Sequence, residues 1–422
     1  PTASAATSID VTPAAGPFED AKGSGAKARG SRACIACLAI VAAEKPKIVA
    51  VAGEDPFHRS TWSGASYWLV RALQDEDALE GAVAAGPRMA DFLERTSAFS
   101  WDTARWRQRY WAHATPASGL TRTIVAVTGA ARVRRVTASP DVLLQLGAWF
   151  EPVRWLRPRA RCSYSDMHLA LFLTRPDNRL DRTSRLVRKA LERERRTFDA
   201  LDRIFTMSDW LRASIVADAG QDPQKVVTVW NGANVALPPV APVRQLEPPR
   251  FLFVGRRFER KGGRFLLDAF QHVNGERPDA ELWIVGPTAA LREQEGVRWF
   301  GHIDRSTPAG DRELGRLYTE ATAFVMPSLF EPLGSVFFEA MAHALPCIGT
   351  DCCAMPEFVV HGENGLLARP ADVHDLAARM LELASDPPRA REMGMDGFRR
   401  VRERFTWSGV ARRIVEHVAR AS

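Results

Sequence analysis

The sequence contains no long apolar run and few cysteines. No run reaches the ~18–20 apolar residues that a membrane-spanning helix needs. Of the six cysteines, Cys34 and Cys37 form a C-x-x-C pair, but no second pair completes a zinc site. Cysteines so sparse, two of them adjacent at Cys352 and Cys353, indicate a reduced chain rather than a disulfide scaffold. No nucleic-acid recognition motif is present, so nucleic acid is not an expected partner.

A chain of 422 residues is too long for one ordinary core and predicts two domains. Apolar and charged contents of 46% and 25% are typical of a globular protein. Strand and helix patterns alternate, which predicts parallel sheets with helices on both faces. Residues 85–135 are rich in Trp and Arg, and their pattern assigns no element. The predicted divisions are a disordered segment at 1–45, a first domain at 46–236, a proline-rich linker at 237–249 and a second domain at 250–405.

One strand-loop-helix unit of the second domain carries two glutamates. The apolar run Ala323–Met326 predicts a buried strand, a loop with Glu331 follows, and a helix opens near Gly334 and Ser335. The unpaired N–H groups of a helix N-terminus suit an anion, and Glu339 leans back toward that end. Two carboxylates beside an anion fit a ligand that also has hydroxyl groups, such as a sugar nucleotide. The alternative is an amphipathic helix with a solvated Glu.

A second strand-loop-helix unit lies about 75 residues upstream. The strand Phe251–Gly255 runs into a cationic loop, and a helix follows over Arg264–His272. The cations of this loop are Arg256, Arg257, Arg260 and Lys261. Arg and Lys at the carboxyl end of a strand are suited to a diphosphate. A solvated basic loop is the alternative.

A series of short segments in the C-terminal half carries a wider pattern. The segments are Val254–Arg256, Lys261–Gly262, Trp283–Gly286, Phe300–His302, Tyr318–Ser328, Glu331 to Glu339, Pro346–Thr350 and Gly362–Leu366. In order and spacing they resemble the retaining glycosyltransferases of family 4, also called group 1. The resemblance implies an α/β protein of the GT-B fold, with two Rossmann-like parallel-sheet domains facing a cleft. It also implies that the last helix, at 406–422, crosses back to the first domain.

The resemblance assigns roles on the donor side. It implies that Glu331 holds hydroxyls of the donor sugar and that Glu339 holds the ribose. It places the phosphates on Arg256 and Lys261, beside the helix N-terminus. The residues of that N-terminus are Gly334, Ser335 and Val336. The base pocket falls on 300–303, which includes His302.

Two positions of the first domain complete the predicted site. The family often has a Gly-Gly turn near the phosphates, and this chain has Ser63 and Gly64 there, a departure that weakens the role of Gly64. Many members place a His or Asp after the strand that ends here at Tyr164, facing the donor sugar. Asp166 and His168 are the candidates, and a structural role for His168 stays open.

The resemblance implies transfer of a sugar from a nucleotide-sugar to an acceptor with retention of configuration. It implies no cofactor and no metal, and the catalytic candidates are Glu331, Asp166 and His168. A nucleotide-sugar epimerase and a non-catalytic sugar-nucleotide-binding protein remain as alternatives. The base, the sugar and the acceptor, whether a sugar, a lipid or a polysaccharide, stay open.

Basic residues crowd the stretch from Arg179 to Arg196, where Asp181, Glu192 and Glu194 relieve them. A solvated helix is one interpretation. Attraction to an anionic acceptor or membrane surface is the other. The reduced cysteines indicate the cytoplasm as the expected location. Peripheral contact of this basic stretch with the inner face of the membrane is the second hypothesis.

Overall fold

The computed structural model describes residues 45–59, 61–86, 119–147, 156–178, 180–243, 246–287 and 294–421. The predicted disordered segment lies outside the described residues except for Lys45, as do Cys34, Cys37 and Arg179. Within the described ranges, no helix is long and apolar enough to cross a membrane. Residues Lys45–Ser422 form one compact unit.

The first sheet consists of parallel strands in the order β2-β1-β3-β4-β5-β6. Its strands are β1 (Ile48–Ala52), β2 (Leu79–Ala84), β3 (Val142–Leu146), β4 (Ala160–Ser165), β5 (Arg203–Thr206) and β6 (Val226–Thr228). Every residue of β1 and β3 is buried, as expected for strands covered on both faces. The helices between them are α1 (Ala65–Asp75), α2 (Gly119–Val136), α3 (Leu169–Phe172), α4 (Arg185–Asp199) and α5 (Asp209–Asp218).

The second sheet is also parallel, in the order β12-β11-β10-β7-β8-β9. Its strands are β7 (Arg250–Val254), β8 (Glu281–Val285), β9 (Val297–Gly301), β10 (Ala323–Val325), β11 (Cys347–Thr350) and β12 (Gly365–Ala368). Its helices are α6 (Gly263–Glu276), α7 (Pro308–Glu320), α8 (Ser335–Ala342), α9 (Met355–Phe358), α10 (Val373–Ser385) and α11 (Pro387–Arg404). Because β7 and β10 are neighbours, the loops after them meet at one edge of the sheet.

The last helix, α12 (Trp407–Ala421), packs against α1 of the first domain. Its buried stripe recurs at helical spacing and consists of Trp407, Val410, Ala411, Ile414 and Val418. Each large apolar side chain so buried contributes about 1.5–3 kcal/mol to the free energy of unfolding. The segment that was predicted to cross back to the first domain thus packs against α1, and its assignment to that domain stays a prediction.

The parallel α/β architecture predicted from the sequence is confirmed, and the described part of the stretch at 85–135 contains most of α2. The domain boundaries stay predictions, although β6 ends at Thr228 and β7 begins at Arg250. One prediction needs correction. The basic stretch is not one helix from Arg179, because the Ser184 side chain accepts a hydrogen bond from the Val187 N–H and caps α4, which begins at Arg185.

Candidate active site

Glu331 lies in the loop after β10 and is only 7% exposed. Its Oε2 lies 3.2 Å from Lys261 Nζ and 3.6 Å from Arg260 Nη1. The Arg260 guanidinium also donates to the carbonyl oxygen of Phe330 over 2.7 Å, which fixes it beside the carboxylate. A buried carboxylate is tolerated because two cations from the loop after β7 offset the loss of its hydration.

The side chain of Lys261 reaches Glu331 across the end of β7. A Cβ atom at Gly255 would lie 2.4 Å from Lys261 Cδ, so the lysine stem needs glycine at the strand end. Arg256 and Arg257 of the same loop are exposed, and neither has a side-chain hydrogen bond or ion pair to another described residue. Within the predicted phosphate pair, the structure therefore gives Lys261 a carboxylate partner and leaves Arg256 open to a ligand.

The N-terminus of α8 lies directly after the Glu331 loop. Gly334 precedes it with φ 67° and ψ 59°, a left-handed conformation that favours glycine. Gly334 has no side chain to cap the first-turn N–H groups of Ser335 and Val336, which are half-buried. The helix therefore presents uncapped N–H groups and the positive end of its dipole beside Glu331.

Glu339 lies one turn into α8 and is 1% exposed. Arg305 Nη1 donates to its Oε1 over 2.7 Å, and the Tyr318 hydroxyl donates to its Oε2 over 3.1 Å. The Glu339 carboxylate raises the pKa of the Arg305 guanidinium, and burial raises the pKa of Tyr318 well above its ordinary value. Arg305 Nη2 also donates over 2.8 Å to the carbonyl of Asn234, which lies in the segment between β6 and β7. Glu339, the residue predicted to bind the ribose, is thus held by Arg305.

Asp166 follows β4 and lies across the cleft from Glu331. Burial raises its pKa to about 6, although the Trp62 side chain donates a hydrogen bond to it. The Glu331 carboxylate raises the pKa of Asp166 further, and the Arg260 guanidinium lowers it. Asp166 therefore interacts electrostatically with both residues. Asp166 is therefore the first-domain candidate that the structure brings to the glutamate.

His168 does not join this group. Its ring is 3% exposed, its Nε2 lies 2.8 Å from Ser214 Oγ, and its Nδ1 lies 3.7 Å from Glu194 Oε2. Because both ring nitrogens face α4 and α5, the histidine stabilises the first domain internally. The structure corrects the expectation that His168 faces the donor sugar.

The two remaining predicted residues are Gly64 and His302, of which the first is buried and the second exposed. Gly64 precedes α1 with φ 94°, and the neighbouring Ser63 carbonyl accepts a hydrogen bond from Asn234 Nδ2 over 2.9 Å. His302 follows β9 and is exposed, near the Asp304 carboxylate. No hydrogen bond or ion pair between described residues joins Gly64 or His302 to Glu331.

Contacts across the cleft hold its two faces together. Glu357 of the second domain accepts hydrogen bonds from the N–H groups of Asp209 and Trp210, over 2.8 and 2.5 Å, at the N-terminus of α5. The Trp210 ring also packs edge-on against Phe330, next to Glu331, at 5.9 Å between centroids. Burial raises the pKa of Glu357 despite these donors. A carboxylate at a helix N-terminus thus links the domains beside the site.

Sequence patterns missed the residues that organise this site: Trp62, Asn234, Arg305 and Tyr318. The only signal for Arg305 is its position two residues beyond the segment 300–303, which was expected to line the base pocket. Among the residues that the structure describes, no three His, Cys, Asp or Glu side chains are grouped to hold a metal ion. The expectation that no metal is needed stays a prediction.

Comparison with known proteins addresses the second domain directly. Residues 248–386 match the family model described as "Glycosyl transferases group 1". We call these matched residues the group 1 domain. The group 1 domain contains Arg256, Lys261, Arg305, Glu331 and Glu339.

Curated relatives extend the match beyond this group 1 domain. The α-maltose-1-phosphate synthase of Mycolicibacterium smegmatis is 29% identical over 253 residues, which are 53% of this chain and 64% of that protein. The MMP α-(1→4)-mannosyltransferase of Mycolicibacterium hassiacum is 31% identical over 235 residues, which are 53% of this chain and 56% of that protein. The chain thus spans less than two thirds of the length of these relatives.

Solved structures establish the fold of the whole described chain. A sucrose-phosphate synthase from Thermosynechococcus elongatus superposes with a TM-score of 0.65 at 19% identity, covering 89% of this chain and 98% of that one. Anabaena Alr3699/HepE in complex with UDP-glucose superposes with a TM-score of 0.60 at 15% identity, covering 88% and 99%. The predicted GT-B fold, with two parallel-sheet domains, is confirmed.

Proposed function

We propose that the protein transfers a sugar from a nucleotide-sugar to an acceptor, with retention of configuration, as a glycosyltransferase of family 4. The observation that carries the proposal is the arrangement around α8. Glu331, the uncapped helix N-terminus and Glu339 follow one another on the group 1 domain. The exposed Arg256 lies on the neighbouring loop after β7. One anion site between two buried carboxylates suits a diphosphate that has a sugar on one side and a ribose on the other.

The positive groups of the site stabilise the leaving diphosphate. Lys261 and the N–H groups at the start of α8 are fixed before the reaction, so they meet the developing charge without reorganisation. The exposed Arg256 adds a fork-shaped donor from the neighbouring loop. Lys261 also neutralises Glu331 at 3.2 Å, so one cation serves both the phosphate and the sugar-binding carboxylate.

The carboxylates of Glu331 and Asp166 orient the donor sugar and do not act as nucleophiles. Glu331 accepts hydrogen bonds from the donor sugar, and Asp166 faces the same sugar from the first domain. In a front-face reaction the leaving phosphate accepts the proton of the acceptor, so neither carboxylate has to form a covalent intermediate. The pair is therefore not a glycosidase pair of nucleophile and acid.

Glu339 binds the ribose hydroxyls in this proposal, and Arg305 holds the Glu339 carboxylate in place. The guanidinium occupies Oε1 at 2.7 Å, and Tyr318 donates to Oε2. A carboxylate has about four acceptor positions, so a ribose hydroxyl binds without displacing either partner.

The donor class is supported by a structural neighbour, since Alr3699/HepE was solved with UDP-glucose. The sequence relatives are a synthase of a sugar phosphate and a mannosyltransferase. The acceptor of this chain is a sugar, a lipid or a polysaccharide. Peripheral contact with the inner face of a membrane, through α4, is the related proposal for its location.

A panel of UDP-, GDP-, ADP- and TDP-sugars, screened by thermal shift, tests the donor. A ligand at 100 times its dissociation constant adds about 2.7 kcal/mol to the free energy of unfolding. Incubation with the binding nucleotide-sugar alone then separates the alternatives. An epimerase converts the sugar, a transferase at most hydrolyses it slowly, and a non-catalytic protein does neither. If no nucleotide-sugar in the panel stabilises the protein, the proposed function is wrong.

A further inference from the structure

Two adjacent cysteines lie against the Glu331 loop. Cys352 and Cys353 follow β11, and both are free thiols and partly exposed. By contrast, Cys162 and Cys347 are buried inside their sheets. Position and exposure therefore distinguish this pair from the other cysteines that the structure describes.

Cys352 is held against the loop that precedes Glu331. Its Sγ lies 3.5 Å from the Ser328 carbonyl oxygen and 3.5 Å from Thr350 Oγ1. Thr350 Oγ1 itself donates to the same Ser328 carbonyl over 2.6 Å. The loops after β10 and β11 are thereby joined through the thiol and hydroxyl groups of one short segment.

Cys353 contacts the candidate sugar-binding residue directly. Its Sγ accepts a hydrogen bond from the backbone N–H of Glu331, and the Cys352 and Cys353 thiols are hydrogen-bonded to each other. The backbone at Cys353 has φ 54°, in the left-handed region that residues with a side chain rarely adopt. Cys353 therefore has a strained backbone conformation in the turn beside Glu331.

We infer that Cys352 and Cys353 form a dithiol modification site, at which a small-molecule disulfide closes the pair into a vicinal disulfide and displaces Glu331. The consequence for Glu331 rests on the proposed function, whereas the modification itself does not.

The chemistry balances in two exchanges. The Cys352 thiolate attacks the small disulfide R–S–S–R, forms a mixed disulfide and releases one thiolate RS⁻. The Cys353 sulfur then attacks the Cys352 sulfur, loses its proton and releases the second thiol. The protein loses two hydrogens and two electrons, and the small disulfide is reduced to two thiols.

The environment favours Cys352 as the attacking sulfur. The hydrogen bond from the Cys353 thiol lowers the pKa of Cys352, and the same contact raises the pKa of Cys353. The thiolate is the nucleophile in disulfide exchange, so the first step belongs to the partly exposed Cys352. Cys353, which holds the Glu331 N–H, acts as the resolving thiol.

Ring closure changes the backbone that carries Glu331. Adjacent Cα atoms across a trans peptide lie about 3.8 Å apart, below the usual range of about 4.4–6.8 Å for disulfide-bonded residues. The turn therefore has to rearrange, and the Glu331 N–H loses its thiol partner. A strained disulfide is also easily reduced, so the modification is reversible.

The modification is tested on the full chain by peptide mapping. The reduced protein is incubated with oxidised glutathione, digested and analysed by mass spectrometry. The peptide that contains Cys352 and Cys353 is expected to lose two hydrogens and to carry no glutathione. The peptides of buried Cys162 and Cys347 serve as internal controls. Two free thiols at 352 and 353, or a stable glutathione adduct without ring closure, would overturn the inference.

The consequence for Glu331 is tested by binding. Oxidation is expected to weaken binding of the nucleotide-sugar found in the panel by about tenfold or more. It should weaken binding of the bare nucleoside diphosphate less, because that ligand lacks the donor sugar that Glu331 binds. The double variant Cys352→Ser/Cys353→Ser should keep its own untreated affinity after oxidation, and Cys162→Ser should remain sensitive. Dithiothreitol should restore the wild type.

Peptide mapping and binding together distinguish a failure of the proposed function from a failure of the dithiol inference. If the reduced protein binds no nucleotide-sugar, the proposed function fails, and peptide mapping still decides the dithiol site. If the vicinal disulfide forms but affinity for the nucleotide-sugar is unchanged, the link from the cysteine pair to Glu331 is wrong.

Discussion

Arg305 clamps Glu339 from outside its helix. One terminal nitrogen of the guanidinium donates to the Glu339 carboxylate over 2.7 Å, and the other donates to the Asn234 carbonyl. One side chain thus joins α8 to the segment between β6 and β7. Because Glu339 is 1% exposed, Arg305 offsets the hydration that the buried carboxylate has lost.

Arg305→Met should therefore lower the free energy of unfolding by about 3 kcal/mol, since removing one partner of a buried ion pair strands the other charge. Urea unfolding measures the loss. Arg316→Met, which breaks exposed pairs with Glu313 and Glu320, is the control and should cost at most about 1 kcal/mol. The double variant Arg305→Met/Glu339→Gln should recover part of the loss. Equal effects at Arg305 and Arg316 would contradict the clamp.

Glu331→Gln and Glu339→Gln should separate sugar binding from nucleotide binding. Glutamine keeps the size but loses the charge and half of the acceptor oxygens. Glu331→Gln should lower transfer by about tenfold or more while leaving affinity for the bare nucleotide nearly unchanged. Glu339→Gln should mainly weaken nucleotide affinity, through the ribose. Turnover and calorimetry on both variants provide the comparison, and full transfer activity in Glu331→Gln would disprove its role.

Arg256→Ala should weaken binding of the nucleoside diphosphate by about 1.5–3 kcal/mol, the scale of charge-assisted hydrogen bonds. Lys261→Ala should do the same and should also loosen Glu331, its partner at 3.2 Å. Calorimetry with the free nucleotide is the measurement. Arg257→Ala, next to Arg256 and equally exposed, is the control. Unchanged affinity in both the Arg256 and Lys261 variants would remove the phosphate assignment.

Asp166 should give the protein a pH-dependent stability between about pH 4 and 6. Its pKa is raised to about 6 in the folded state, compared with about 3.9 in the unfolded chain. The native state therefore binds more protons in this window, and the free energy of unfolding falls as the pH rises through it. Denaturant unfolding across the window should show this slope in the wild type. Asp166→Asn should reduce the slope, and an identical slope in both proteins would argue against the shift.

The exposed cations of α4 should attract anionic vesicles if the helix contacts a membrane. The exposed residues are Arg185, Arg188, Lys189, Arg195 and Arg196. The charge-reversed variant Arg185→Glu/Arg188→Glu should lose about 1 kcal/mol of binding for each cation removed, and wild-type binding should fall steeply with salt. Vesicle co-sedimentation measures both. Reversal of the exposed Arg399 and Arg402 on α11 is the matched control, and absence of binding to anionic vesicles would leave α4 a solvated helix.

Much of the fold was predictable because its signals are local. Apolar runs such as Phe251–Gly255 and Ala323–Met326 end at polar loops, and that pattern by itself predicts strands whose carboxyl ends face a cleft. The spacing of Glu331 and Glu339 likewise depends only on the geometry of one loop and one helix. The sequence alone therefore determined the α/β architecture and the position of both glutamates.

The partners of those glutamates were decided by tertiary structure. Arg305 and Glu339 are 34 positions apart and meet only because α8 and the loop after β9 fold against the same end of the second sheet. The choice between Asp166 and His168, two residues apart, depends on which neighbours each side chain finds: Trp62 and the cleft, or Ser214 and Glu194. The contact of Cys353 with Glu331 follows from the pairing of β10 with β11. Local sequence patterns carry no record of such long-range contacts, because burial, charge pairing and side-chain direction are set by packing.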